Sequence, residues 1–471
     1  MQHARKALLV ITTSLLCMFA LSGAALAGPG GGIKGDPQPK ITPFKIGAGA
    51  GAGSVALEPN GGIVTAWDIS GGHGRVRVCL LARAGHKCTG SVILNPLSGD
   101  DTFGPAEVFV PRANHVEVLQ NTCCDANPNG STLVYSSTDG GHTFAAPVRV
   151  GNVGVSGAAL IDGNIVFGVS GQYQSIPAVG ASGPPGSIAT LGTTDVVDTY
   201  VGSYHNGVLA GYDVLGSTWR VHASYAKAGS NFNATSSYKA VASFNNEQLI
   251  GQSGSALLTQ QTKGSKDELL LRLFNGTSFG AAHVVPRTSG GGPEWFGIVQ
   301  DPSGVTHVFS ESTHSSKLYH LIEESTSNGI RWSGPADLGN AINSNGFSGA
   351  LDSHGSGLIL GTGGSQSWGY PVLGTQRVTF SLKSSTIKKG KSTIGSGKGS
   401  PAGKGRKVEL QVERSGRWYT VKTTHESSSG AFSFTIKGSA AGKFSYRAVA
   451  NDLAGYLLYG YSSARSLKVT G

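Results

Sequence analysis

The sequence predicts an all-β chain built largely from repeats. Three observations carry that expectation. Short runs of Val, Ile, Leu, Tyr and Thr alternate with Gly, Asn, Asp and Ser turns every eight to twelve residues. Glycine is abundant (72 of 471 residues), Met is nearly absent, and charged residues make up only 14%. Long apolar patterns of helical period are missing. Regular apolar strands between the glycines exclude a low-complexity reading.

One unit recurs: an apolar strand, a turn, and a second apolar strand. It runs from Val55 to Ala66, Gly157 to Gly168, Tyr200 to Tyr212, Ala240 to Gln252, Gly297 to Glu311 and Gly349 to Gly361, with a weaker copy at His115 to Gln120. A second unit, an aromatic residue and small residues leading into an outer strand, begins at Phe103, Phe144, Phe279 and Trp332. Four short strands per period of roughly 40 to 55 residues predict the radially stacked sheets of a β-propeller. One such sheet cannot bury both faces alone, whereas stacking covers them and leaves only short edges. The segment from Ile41 to Gly47 resembles an outer strand without its first three. The last repeat, Phe347 to Gly374, lacks an outer strand, so the N-terminal segment is expected to complete it. Seven blades follow, or six if the poorly matched stretch 171–194 is not one.

The first 27 residues predict export. His3, Arg5 and Lys6 precede an apolar run from Ala7 to Leu21, and Ala25-Leu26-Ala27 supplies small residues for cleavage. The run is too short to span a bilayer, and no later stretch replaces it. A Gly/Pro-rich segment, 28–40, follows. Four cysteines remain after cleavage: Cys79, Cys88, Cys123 and Cys124. An even count in an exported chain favours disulfides. Cys79 and Cys88 flank a hairpin-like stretch and pair most simply with each other, leaving a vicinal Cys123–Cys124 bridge; the crossed pairings stay open. No His stands at ligand spacing near Cys123, so neither a metal nor any other cofactor is expected.

Charge divides the chain. Residues 28–376, whose repeats occupy 41–376, carry 18 Lys and Arg against 23 acids. Residues 377–471 carry 17 against four. The net charge of +10 therefore belongs to the tail. About 95 residues of strand pattern predict a small β-sandwich there. The run from Lys383 to Lys407 alternates cations with Gly and Ser, as a solvated face or loop does. It also suits an anionic cell-envelope polymer. No aromatic platform is interleaved, so specific nucleic-acid recognition is not expected.

Ser137-Thr-Asp139-Gly-Gly141-His-Thr143-Phe144 has the S-x-D-x-G-x-T-[FW] spacing of an Asp-box, with degenerate relatives at Ser325 to Trp332 and Ala226 to Phe232. The Asp satisfies turn amides, the Gly takes a positive φ, and the aromatic plugs between sheets. Asp139 is therefore read as a folding element. On these residues the stretch from Ile41 to Gly374 resembles the sialidase-like, Asp-box propeller family. That family clamps its substrate with three arginines, one in a Phe/Tyr-Arg-Ile-Pro motif near its start. This chain has Pro43-Phe-Lys-Ile46 there and no Arg-Ile-Pro anywhere. The tail resembles the Ig-like accessory modules of secreted bacterial proteins, through Ser385 to Lys391, Val408 to Val412, Gly416 to Val421 and Ser429 to Phe434.

The resemblance implies that the blade-linking loops and the loops between second and third strands share one face, opposite the Asp-box hairpins. The strand reading puts Arg112, His115, Arg287, Glu294, Trp295 and Glu311 near that face, along with His73, Arg75, Tyr173, His314, Lys317 and Trp368. Arg287 to Trp295 sets a cation, a Gly-rich bend, an acid and an aromatic in one loop, a set suited to an anionic sugar or peptide. Ordinary polar loop residues are the competing reading. Glu323 and Glu324 are further carboxylates, pointing to opposite faces of one strand. The expectation is a secreted, non-catalytic binding protein for a glycan or extracellular protein; the alternative is an extracellular glycoside hydrolase of divergent sialidase-like type.

Overall fold

The computed structural model describes residues 41–49, 51, 53–69, 74–123, 131–150, 157–169, 172–179, 186–190, 196–204, 207–214, 219–226, 239–244, 248–250, 255–263, 266–286, 296–314, 318–340, 347–363, 365–451, 453 and 456–471. Among them every regular element is a strand and there is no helix. The N-terminal segment 1–40, with its expected export signal, lies outside the described residues, as do Cys124 and the loop carrying Arg287, Glu294 and Trp295.

Strands between Phe44 and Val372 form seven four-stranded antiparallel sheets. The first contains Gly53–Leu57, Ile63–Ile69, Arg75–Leu81 and Gly90–Leu94. Five more follow in chain order over 101–149, 157–190, 196–244, 248–284 and 296–340. The seventh takes Phe347–Leu351, Gly357–Gly363 and Gln366–Val372, and its outer strand is Phe44–Ala48 from the other end of the chain. The stretch 171–194, whose sequence fits the repeat poorly, supplies Gln172–Pro177 and Gly186–Thr190 to the third sheet. The first strand of each sheet touches the first strand of the next, and that of the seventh touches that of the first.

Apolar side chains from facing sheets make the core. Val64, Ala66, Val76 and Val78 of the first sheet meet Val108, Val116, Val118 and Tyr135 of the second. The other face of the first sheet packs Trp67 and Cys79 against Phe44, Leu358 and Leu360 of the seventh. Trp67 is fully buried, and its Nε1–H donates to Ala48 O at 3.1 Å. Cys79 and Cys88 are joined by a disulfide at this seam, as the simplest pairing predicted.

Two expectations are corrected. The stretch from Ala240 to Gln252 is not a hairpin: Lys239–Phe244 is the outer strand of the fourth sheet and Gln248–Ile250 the first strand of the fifth. A short link between sheets shows the same apolar–polar–apolar pattern as a turn within one. Likewise Phe103 does not lead an outer strand, because Asp101–Arg112 is the first strand of the second sheet.

The Asp-box joins the third and fourth strands of the second sheet. Ser137 Oγ donates to Asp139 Oδ1 at 2.8 Å and accepts the Gly141 amide at 2.8 Å. Asp139 accepts the Thr143 amide at 2.9 Å and its hydroxyl at 2.6 Å. These bonds hold the Asp139 carboxyl well below its ordinary pKa. Gly140 and Gly141 have φ of 75° and 86°. Phe144 plugs the core between first and second sheets. At the degenerate copy the register moves by one: Thr326 and Asn328 play the parts of Ser137 and Asp139, with Gly329 N donating to Thr326 Oγ1 at 2.9 Å. Replacing Ser137 by Ala orphans the Gly141 amide and is expected to cost about 1–2 kcal/mol in a urea melt without altering ligand binding.

Residues 377–470 form a second unit of two packed sheets. Arg377–Leu382, Ser392–Ser400 and Ala431–Lys437 make one; Thr386–Lys388, Lys407–Arg414, Arg417–His425, Gly442–Ala450, Gly460–Tyr461 and Arg465–Thr470 make the other. Val378, Phe380, Leu410, Phe432, Phe434 and Leu467 fill the space between. The run from Lys383 to Lys407, read as a face or a loop, is thus mostly strand.

The tail is stitched to the body. Gly374 N donates to Tyr456 O at 3.0 Å, Leu458 N to Gly374 O at 2.8 Å, and Thr375 N to His354 O at 2.9 Å. Arg83 of the first sheet pairs with Asp352 of the seventh and stacks over the Tyr456 ring at 3.7 Å. One side chain therefore ties together two sheets and the tail.

Candidate functional site

Each sheet has two ends. Turns between first and second strands, and the Asp-box, lie at one; links between sheets and turns between second and third strands lie at the other. The sequence places ligand contacts at the second end, and there the interior turns polar. Asp68 is the penultimate residue of the second strand of the first sheet, Thr102 the second residue of the first strand of the second sheet, and Asn121 and Thr122 stand just before the end of its second strand. All are buried.

Asp68 and Thr102 are held where glycine lets the backbone come close. A Cβ on Gly51 would meet Asp68 Cβ at 2.4 Å, and one on Gly74 would meet Thr102 Oγ1 at 1.9 Å. Asp68 is 9% exposed, and burial pushes its carboxyl up to about 6. Neither Asp68 Oδ1 nor Thr102 Oγ1 has a hydrogen-bond partner among the described residues. A desolvated carboxyl titrating just below neutrality can accept a ligand's hydrogen bond or hold its proton.

A polar cluster continues outward along the same end of the second sheet. Arg149 makes a two-point contact with Asp100 at 2.9 and 2.7 Å and also pairs with Ser131, whose hydroxyl meets that of Thr122 at 2.6 Å.

Of the residues singled out from sequence, Glu311 lies on the second strand of the sixth sheet, past its midpoint toward this end, and is buried at 4% exposure. Arg75 is exposed at the start of a strand at this end, Tyr173 is fully buried, and Trp368 is half-buried on the seventh sheet. His73 and Lys317 lie outside the described residues. Arg112 and His115 are at the opposite end: they pair across the turn between the first and second strands of the second sheet. Asn114 O in that turn accepts the Gly140 amide of the Asp-box at 2.8 Å. The misplacement follows from reading Phe103 to Val108 as an outer strand, which made the turn look like a link between sheets.

Glu323 is also reassigned. It is fully buried, and its Oε1 lies 2.6 Å from His307 Nδ1. His307 Nε2 lies 3.6 Å from Asp301 Oδ2, an ion-pair distance. Burial alone would lower the pKa of His307; its two carboxylate neighbours outweigh that and push it up to about 9. This interior triad escaped the sequence reading, because three polar residues at 301, 307 and 323 have no motif spacing.

A groove of about 350 Å³ lies at the Asp-box end, where Leu57, Pro302, Leu358 and Val372 meet Arg83 and Tyr456. Its cation is already engaged by Asp352 and the Tyr456 ring.

No protein-family profile matches the chain, and no curated protein matches it. Among solved structures it is similar to a putative 6-phosphogluconolactonase from Bacteroides uniformis, at 13% identity and a TM-score of 0.39 over 60% of this chain and 83% of that one. It is also similar to a Trypanosoma rangeli sialidase mutant displaying trans-sialidase activity, at 9% identity and 0.36 over 91% and 92% of the two chains. A bifunctional GH43-CE protein of Bacteroides eggerthii matches at 9% identity and 0.32, over 91% of this chain and 59% of that one. Likenesses of this degree assign neither a family nor an activity.

Proposed function

We propose that this chain is an exported, non-catalytic binding protein. Residues 41–376 form a seven-bladed, sialidase-like Asp-box propeller, closed by the strand Phe44–Ala48. Residues 377–471 form a basic Ig-like module that holds it on an anionic cell-envelope polymer. The ligand, a glycan or an extracellular protein, is recognised at the end of the propeller floored by Asp68 and Thr102. Arg287, Glu294, Trp295 and Glu311 contribute to it. The observation that carries this reading is the polar floor itself: a buried carboxyl and hydroxyl, held against glycine backbone, with hydrogen-bonding capacity unspent among the described residues.

A glycan array probed with the full chain and with Asp68→Asn tests it. Binding of the full chain, weakened at least about tenfold by Asp68→Asn, is the expected result. Binding that Asp68→Asn leaves unchanged would move the recognition surface elsewhere.

The divergent sialidase-like hydrolase is the second reading. Asp68, with its raised pKa, is a group that such chemistry uses. The missing Arg-Ile-Pro motif and the engagement of Glu323 by His307 weigh against it.

A further inference from the structure

The tail sandwich is open along one edge. An outer strand of its smaller sheet, Ala431–Lys437, stands beside the edge strand of its larger sheet, Arg417–His425. Lys422 Nζ crosses the gap and donates to Thr435 O at 2.6 Å. A groove of about 280 Å³ lies between the sheets at that contact. Its floor continues the core: Val412 and Ile436 there are each 3% exposed. Its walls are less well covered. Phe444 and Tyr446 are only half-buried, and Val421 is 42% exposed.

Cations frame this apolar cleft. Arg414, Lys422 and Lys437 line it and are exposed, and no acid lines it. The tail's ion pairs, among the described residues, join Arg406 to Glu426 and Lys407 to Glu409, so the three groove cations enter none of them. Arg414 also reaches the aromatic wall electrostatically: burial pushes the Tyr446 phenol up, and the guanidinium pulls it back.

The two halves of the groove ask for different things of one ligand. Covering Val421, Phe444 and Tyr446 takes an apolar body. Pairing the cations beside them takes an acid group, and a charge-assisted bond gains strength where that body excludes water. A plain polyanion would meet the cations and leave the apolar walls in water. A neutral hydrocarbon would cover the walls and leave the cations unmatched. The volume is at the small end for small-molecule sites.

We propose that this groove binds a small amphipathic organic acid, its apolar body against Phe444 and Val421 and its carboxylate, or an equivalent anionic group, among Arg414, Lys422 and Lys437. The site is separate from the recognition end of the propeller and does not depend on envelope association.

Octanoate, butanoate and 1-octanol, titrated into the full chain and followed by saturation-transfer NMR, serve as probes. Octanoate is expected to bind on the order of a hundredfold more tightly than butanoate, since each buried methylene contributes about fourfold. Octanol, with the same body and no charge, is expected to bind at least about tenfold more weakly than octanoate. Arg414→Gln/Lys437→Gln is expected to weaken octanoate at least about tenfold and to leave octanol unchanged. Val421→Glu, which sets a tethered carboxylate among the cations, is expected to weaken octanoate at least about tenfold. Lys398→Gln/Lys404→Gln, outside the groove, is expected to change octanoate binding by less than about twofold. All five positions are exposed, so the variants should keep the parent urea midpoint. Butanoate matching octanoate would overturn the apolar half of the site, and octanol matching octanoate the anionic half. Octanoate affinity that survives both groove variants, or no octanoate binding, would overturn the site itself.

Discussion

Replacing Glu426 by Gln is expected to cost the tail about 3–5 kcal/mol, a large share of a small domain's stability. Glu426 and Arg406 are almost wholly buried, with side-chain exposures of 0% and 1%. The substitution leaves a guanidinium inside the protein without its counter-charge. Nearly all its other contacts depend on that charge being held in place. Arg406 Nη2 reaches Pro401 O at 2.9 Å, and Nη1 pairs with Gln376. Gln376 in turn donates to the carbonyls of Ala450, Asn451 and Leu458 at 3.2, 2.9 and 2.8 Å. The damage should therefore spread to the hinge between body and tail. Trp418 is the tail's only tryptophan and lies under Arg447, whose guanidinium sits 4.4 Å from its ring. The fluorescence difference between the chain and its Trp418→Phe variant in a urea titration separates the tail from the five tryptophans of the body. An early tail transition is expected in Glu426→Gln, with the body's transition unmoved.

The second large effect depends on pH. His307 carries a folded pKa of about 9 against an ordinary value of 6.5. A raised folded value means that folding takes up a proton. The stabilisation is complete below about 6.5 and is lost as the pH rises through about 9. It should amount to something on the order of 2–3 kcal/mol, read as a fall in the urea midpoint of the body between mildly acidic and alkaline buffer. His307→Gln should lose that alkaline sensitivity. At neutral pH it should already be destabilised, by about 3 kcal/mol, because Asp301 and Glu323 then face each other's charge without a cation between them. A variant that keeps the parent's alkaline transition would show that another group controls it.

The two effects also show what the sequence made legible. Strand alternation and turn residues were enough for an all-β chain, and the missing outer strand of the last repeat was enough to seat Phe44–Ala48 in the seventh sheet. Such features are local or periodic, so they survive in one dimension. The Cys79–Cys88 bridge was legible for the same reason, lying across one short stretch. The interior charges were not. Arg406 and Glu426, or Asp301, His307 and Glu323, are brought together only by sheet register, which follows from packing rather than from spacing. Asp68 was overlooked because an acid at the end of an apolar strand looks like the start of a turn. Arg112 and His115 went to the wrong end through one error: the apolar run after Thr102 carries no alternation, being buried on both faces, and so gave no sign of which strand it was.

Recognition at the Asp68 end of the body is proposed to proceed without turnover. Incubating the full chain with a fluorogenic sialoside, beside Asp68→Asn and Glu294→Gln, tests it most directly. No release of fluorophore above buffer is expected from any of the three, even where the array shows glycan binding. Saturable release by the full chain, abolished by either substitution, would contradict it and make that end an active site.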